Sequence, residues 1–424
     1  MRRVDAAVLA LGLAAAAALG FAATPASAQL PAEPVGRVES LPSPPRPHWV
    51  WAFDVVLNRS ALLDLDRGEF LGMLSTGFLS QAAVFPREGS EFYLPETYYS
   101  RGSRGERTDV VTFYDAASLA PSGEVVIPPK RAINVLTTGN AALSDDARFL
   151  AVFNMTPATS LSIVDVRERR FAGEISTPGC SLVYAAGARR FIMLCTDGAL
   201  LTLTLDERGG EQSKRRGAPF FDPERDPVTE KAVRVDDTWI FVSFEGVAHP
   251  VDVAGESPEP LEPWSLLSDA DRADSWRIGG TQHLAVHERS QRLYSLVHQG
   301  GEHSHKDPGT ELWIYDLRRQ EREQRVALHS PGISIMSETI EFGRDWPAPF
   351  SRTWDWMLDH LVPNPGIGQI AVTPDEAPLL VTGSQLGGSV AVYDATSGEL
   401  LRRVSSGNLT THTLQAPWGA GERR

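Results

Sequence analysis

Two cysteines in 424 residues are too few for a disulfide framework, and no Cys-x-x-Cys-His string is present to attach haem. The chain also lacks a Gly-rich phosphate loop, a Gly-x-Ser-x-Gly nucleophile elbow and a His-Glu-x-x-His metal helix. Those absences argue against the common routes to nucleotide-binding, serine-hydrolase and zinc-peptidase chemistry. Basic residues are in deficit: 40 Lys and Arg stand against 54 Asp and Glu, a formal net charge of -14. Such a surface repels phosphate backbones, which excludes nucleic acid as a partner. Past the first 28 residues no uncharged apolar run is long enough to cross a bilayer, so no membrane span is expected in the mature chain.

What is present begins with an export signal. Arg2 and Arg3 give a short positive region, Ala6 to Ala23 an apolar stretch, and Ala26-Ser27-Ala28 a small-residue cleavage site, so residues 1–28 read as a signal peptide cleaved after Ala28. A membrane anchor is the rival reading, opposed by Gly12, Gly20 and the cleavage pattern that follows at once. Residues 29–47 are rich in Pro and small residues and suit a flexible arm. Export permits a disulfide between Cys180 and Cys195. The apolar runs SLVY and RFIML flank Ala-Ala-Gly-Ala between them, a hairpin pattern that brings the two ends level, and two unpaired buried thiols are the alternative.

One phrase recurs along residues 48–424: an alternating apolar run, an Asp, a few turn residues, a second apolar run. It occurs as LLDLDRGEFLGML (Leu62 to Leu74), VTFYDAASLAPSGEVVI (Val111 to Ile127), LSIVDVRERRFAGEI (Leu161 to Ile175) and LLTLTLDERGG (Leu200 to Gly210). It continues as AHPVDVAGESPEPL (Ala248 to Leu261), LWIYDLRRQEREQRVAL (Leu312 to Leu328) and VAVYDATSGELLRRV (Val390 to Val404), the fourth and fifth being the least regular. Period-two apolar residues around an Asp, Gly and Ser bend are hairpin chemistry. Further strand-like runs lie between the hairpins, among them RFLAVF (Arg148 to Phe153), TWIFVSF (Thr238 to Phe244), RLYSLV (Arg292 to Val297) and PLLVT (Pro378 to Thr382). Seven hairpins with two more strands each predict an all-β, seven-bladed β-propeller of four-stranded antiparallel blades, since a blade must bury both faces against neighbours and a closed ring supplies them. Ser265 to Trp276 reads as a short helix capped by Ser265 or Ser268. A Trp-rich insertion at about 337–366, holding Trp346, Trp354 and Trp356, breaks the rhythm and reads equally as a lid or as a loop that buries its own aromatics.

Candidate chemistry is sparse. His298, His303 and His305, with His283 and His287 nearby, form the best metal candidate, but the spacing matches no defined site, so surface histidines are the default and no metal is expected. Asp115, Asp165, Asp316 and Asp394 stand at the bends, where turn geometry already accounts for them.

Several strings, in order along nearly all of the mature chain, resemble the heavy subunits of the tryptophan tryptophylquinone amine dehydrogenases, the aromatic amine and methylamine dehydrogenase heavy chain family. They are GEFLGMLSTGF (Gly68 to Phe78), SRGSRGERTDVVTFYD (Ser100 to Asp115), IPPKR (Ile127 to Arg131), PATSLSIVDV (Pro157 to Val166), CTDGALLTLTL (Cys195 to Leu205), PWSLLSDADRADSWRIGG (Pro263 to Gly280), HKDPGTELWIYD (His305 to Asp316) and VAVYDATSGELLR (Val390 to Arg402). The resemblance implies an exported, periplasmic seven-bladed propeller without a cofactor of its own. It implies a small light subunit that carries the tryptophan tryptophylquinone, a complex of two heavy and two light chains, and an azurin- or amicyanin-like blue copper protein as electron acceptor. It implies oxidative deamination of primary amines to aldehyde and ammonia, with this chain non-catalytic. Phe78 falls where the family places a Phe at the mouth of the substrate channel, a core Phe being the alternative, and Cys180 and Cys195 match the family's heavy-chain disulfide. The strings PATSLSIVDV, IPPKR and PWSLL favour aromatic amines over methylamine. Departures are the Trp-rich insertion and the irregular stretch Asp226 to Lys231. Two other readings stand beside this one: a stand-alone periplasmic propeller scaffold without a quinone partner, and a self-sufficient propeller enzyme with a metal at the histidine cluster.

Overall fold

The structure is a computed structural model, and it describes residues 40–87, 89–328, 366–385 and 388–418. Its strands form seven antiparallel sheets, each a blade of a seven-bladed β-propeller. All seven hairpins expected from the repeated phrase are present as the two outer strands of a blade, from Arg59–Asp64 with Glu69–Ser75 to Ser389–Asp394 with Leu400–Ser405. The intervening runs supply the inner strands, as Phe149–Asn154, Thr238–Val242, Arg292–Gln299 and Leu379–Gly383.

Four blades hold four strands. The second has three, its inner edge reduced to a bridge between Val84 and Tyr93, while the fifth and sixth carry five. The weak fifth phrase is also short in space, with an outer strand of only Glu259–Pro260. Pro at 258, 260 and 263 removes ladder donors there. The helix is shorter than expected, Asp269–Ala273, and Ser268 caps it in a reciprocal box with Asp271. Ser265 instead sits in a two-residue strand, and Trp276 opens the sixth blade.

The ring closes through its ends. Thr413–Gln415 pairs with Trp49–Asp54, so the first blade takes its innermost strand from the far end of the chain. Apolar clusters then lie between blades rather than within them, because each sheet is apolar on both faces. Trp49, Trp51, Phe92 and Trp418 join the first and second blades, and Phe113, Leu150 and Val164 the second and third. Phe191, Leu203 and Phe241 link the third, fourth and fifth, Trp276 and Trp313 pack against Ile240, Tyr294 and Tyr393 join the sixth and seventh, and Val50 and Val381 return to the first. Among the described residues the Cys180–Ala185 and Arg190–Cys195 strands form the expected hairpin, with Cys180 opposite Cys195 and the two disulfide-bonded.

Strand alternation sorts the loops. Turns between the two outer strands all emerge on one face, and the longer connections from each outer strand to the next blade emerge on the other. On the turn face each repeated Asp accepts backbone N–H bonds from the residues just after it: Asp64, Asp115, Asp165, Asp206, Asp252, Asp316 and Asp394 all do so. The expectation that these carboxylates are structural therefore holds.

Of the arm, Ser40 to Pro47 is described; Leu41 donates to Ala117 O at 2.8 Å and packs on the first and second blades. The signal peptide, the rest of the arm and all of the Trp-rich insertion except Gly366 lie outside the described residues.

Candidate functional site

Phe78 lies on the connection face, three residues past the outer strand of the first blade. It is partly buried and belongs to none of the apolar clusters, and its ring meets Tyr99 edge-on at 5.5 Å between centroids. Its backbone is fixed from below. Phe78 N–H donates to Thr97 O at 2.7 Å, and Arg131 reaches Phe78 O at 3.4 Å. The preceding Gly77 donates to Glu96 Oε1 at 2.7 Å, and a Cβ at Gly77 would come within 2.9 Å of both Glu96 Cβ and Thr97 O. Only glycine fits there without a shift of the strand.

Two buried charged groups support this ledge. Glu96 is fully buried and accepts from Thr112 Oγ1 and, at 3.3 Å, from Tyr114 OH. Burial raises its carboxyl above the ordinary range, against the pull of the Thr112, Gly77, Tyr98 and Tyr114 hydrogen bonds. Arg131 is buried beside Asp109, which accepts Arg131 N–H, Thr97 Oγ1 and a bidentate pair from Arg107 at 2.8 Å each. Burial lowers the Arg131 guanidinium to about 10, with Asp109 opposing the shift.

The rim beside Phe78 is apolar and held by one carboxylate. Asp54 accepts N–H bonds from Val56, Leu57, Leu409 and Thr410 at 2.8–3.0 Å and the Thr410 hydroxyl at 2.7 Å. Burial alone would raise this carboxyl; the Leu57 and Thr410 bonds and their neighbours outweigh it and hold the group low. Asn58 ties rim to ledge, accepting Thr76 N–H on its carbonyl at 2.8 Å and Leu79 N–H on Oδ1 at 3.1 Å. Val56, Leu57 and Leu409 remain 56%, 44% and 39% exposed, so three large apolar side chains face solvent on loops that are otherwise rigidly bonded. A preformed apolar patch of this kind suits a protein partner.

The histidines do not assemble as a metal centre, and surface placement fails for most of them. His283, His287 and His298 are buried while His303 is exposed. His287 bonds Ser290 Oγ and Asp375 O at 2.8 Å each, His298 lies 3.0 Å from Ser304 Oγ, and His305 stacks on Phe244 at 3.5 Å. Among the described residues no three His, Cys, Asp or Glu side chains are arranged to hold a metal ion. The sequence reading missed Asp54, Asn58, Glu96 and Arg131. A glutamate inside the apolar run FYLPETYY was the available signal, since a charge in a buried strand needs a partner.

Residues 51–339 match the family model described as "Methylamine dehydrogenase heavy chain (MADH)". The methylamine dehydrogenase heavy chain of Paracoccus versutus is 27% identical over 368 residues, covering 85% of this chain and 77% of that protein. That of Methylophilus methylotrophus is 24% identical over 346 residues, covering 81% and 76%. Among solved structures, a functionally unknown protein from Desulfotomaculum acetoxidans superposes with a TM-score of 0.55 at 9% identity, covering 87% of this chain and 98% of that one. A dihydro-heme d1 dehydrogenase does so with 0.51 at 18% identity, covering 89% and 78%; at these identities both speak to the fold alone.

Proposed function

The chain belongs to the methylamine dehydrogenase heavy chain family, and from that premise we propose that it is the heavy, non-catalytic subunit of a periplasmic quinone-dependent amine dehydrogenase. The observation that carries this reading is the family match across residues 51–339, most of the propeller including the Phe78 ledge. The partner is a light subunit bearing tryptophan tryptophylquinone, assembled as two heavy and two light chains. That quinone, when present, accepts electrons from a primary amine and passes them to a blue copper protein.

This chain's own residues do the shaping. The polar groups under the ledge, Asp54, Asn58 and Glu96, are committed to hydrogen bonds within the chain and offer no base or nucleophile to a substrate. Phe78, Tyr99, Val56, Leu57 and Leu409 supply an apolar rim that excludes water from a partner's pocket and narrows the approach of an amine. The aromatic pair at its edge favours a flat, aromatic amine over methylamine. Turnover of tyramine and methylamine by the complex purified from its native cell, with a blue copper protein as acceptor, tests this. Faster turnover of tyramine supports the reading, and turnover of methylamine alone overturns the aromatic preference.

A further inference from the structure

At the centre of the ring the inner edges of four blades enclose a cavity of about 100 Å³. Thr137 and Thr138 line it from the approach to the third blade, Lys231 from the fifth, Gln282 from the sixth, and His412 from the segment that returns to the first. No Asp or Glu is among its lining residues, although acidic residues outnumber basic ones in the chain by 54 to 40.

Lys231 is the dominant group. Its side chain is only 7% exposed, and Nζ lies 2.8 Å from Glu230 Oε1. Lys306 Nζ approaches that same oxygen at 3.9 Å, so two ammonium groups share one carboxylate and the local balance is positive. An ammonium has three N–H donors, and one is used here. Burial weakens the proton's hold on Lys231, Glu230 opposes that, and a second anion would oppose it further. The other walls are partly committed. Gln282 bonds Leu414 O and Leu414 N through both ends of its amide, which leaves it as a fixed surface. Thr138 makes no side-chain hydrogen bond to any described residue. The Thr410 hydroxyl spends its proton on Asp54, so His412 Nδ1–H donates to Thr410 at 3.2 Å, and burial keeps the ring neutral. Its Nε2 is then an acceptor.

We infer that this cavity binds a small monocarboxylate, with Lys231 as the cation, Thr138 as a second donor and His412 Nε2 receiving a hydroxyl on the ligand. The positive balance disfavours an ammonium group as the occupant. The inference does not depend on a quinone partner.

Calorimetric titration of the purified full-length chain with acetate and with glycolate is the test. Both should bind saturably at millimolar concentration, glycolate the more tightly. Lys231→Met should weaken both by about tenfold or more, the loss of a charge-assisted hydrogen bond. Lys306→Ala, at a mostly exposed side chain that folding does not require, should weaken both by roughly two- to threefold. No saturable heat up to ~50 mM, a range that still detects very weak binding, would overturn the proposal. Unchanged binding in both variants would overturn it too, because the anion would then sit elsewhere.

Discussion

At the scale of single residues, the site is a case of polar groups consumed to present apolar ones. Asp54 alone organises two loops of opposite chain ends, and Glu96 and Arg131 hold Phe78 from beneath. Phe78→Ala leaves these backbone bonds in place. It should therefore shift the ratio of tyramine to methylamine turnover in the assembled complex by several-fold while moving the melting temperature little. An unchanged ratio would remove the channel role. Glu96 makes a second, independent prediction through pH. Its carboxyl is raised in the folded protein, so the folded state holds the proton more firmly than the unfolded chain. Stability from this group is thus full below the ordinary carboxylate range and declines as pH rises through the raised folded value. Glu96→Gln keeps the shape and removes the titration, so its melting temperature should fall less than wild type between pH 4.5 and 8; identical slopes would contradict the assignment. Phe78 was singled out only by resemblance; Asp54 was not legible, since its partners are brought in by ring closure from as far as Thr410, and Glu96 left one signal, a charge inside an apolar strand.

At the scale of elements, the repeated Asp phrase was legible because it is local chemistry. Each bend needs an acceptor for one or two of the N–H groups just after it, and Asp supplies it seven times within a few residues of sequence. The disulfide was legible for the same reason, being the two ends of one hairpin. Cys180→Ser should cost on the order of 2–4 kcal/mol in denaturant unfolding, less where the paired strands already restrain the loop. Equal midpoints with and without reductant would contradict that cost. The buried histidines were not legible, because burial in a ring depends on the neighbouring blade. The half-buried His48 also depends on a neighbouring blade: it stands before the first blade's second strand and binds Asp66 at 2.8 Å and Asp375 of the seventh blade at 3.0 Å. Burial alone would lower its pKa; the Asp66 and Asp375 contacts outweigh it and raise the group above 6.5. A raised histidine stabilises below its unfolded pKa, and that stability is lost as pH rises through the folded value. His48→Gln should accordingly flatten the loss of melting temperature between pH 6 and 8, and a wild-type slope in the variant would show that the latch carries no linkage.

At the scale of the whole molecule, seven sheets each apolar on both faces force a closed ring, and the returning strand Thr413–Gln415 closes it. The count of blades followed from the repeat. The closure did not, since Thr413–Gln415 is too short to announce itself as a strand. Gln415 strengthens it by bonding Ala83 N–H and O at 2.9 Å each, so a side-chain amide serves as a rung between the first blade and the connection into the second. Closure also sets the division of labour. Among the described residues one face carries the Asp-capped turns, and the other carries Phe78 and its apolar rim. A propeller so arranged is a scaffold with one differentiated face, which agrees with a subunit that shapes a partner's pocket. The direct measurement is a gel and a visible absorption spectrum of the protein purified from its native cell. The account predicts a small co-purifying chain and a quinone band bleached by added amine. A lone, colourless chain that remains so with every amine tried would contradict it.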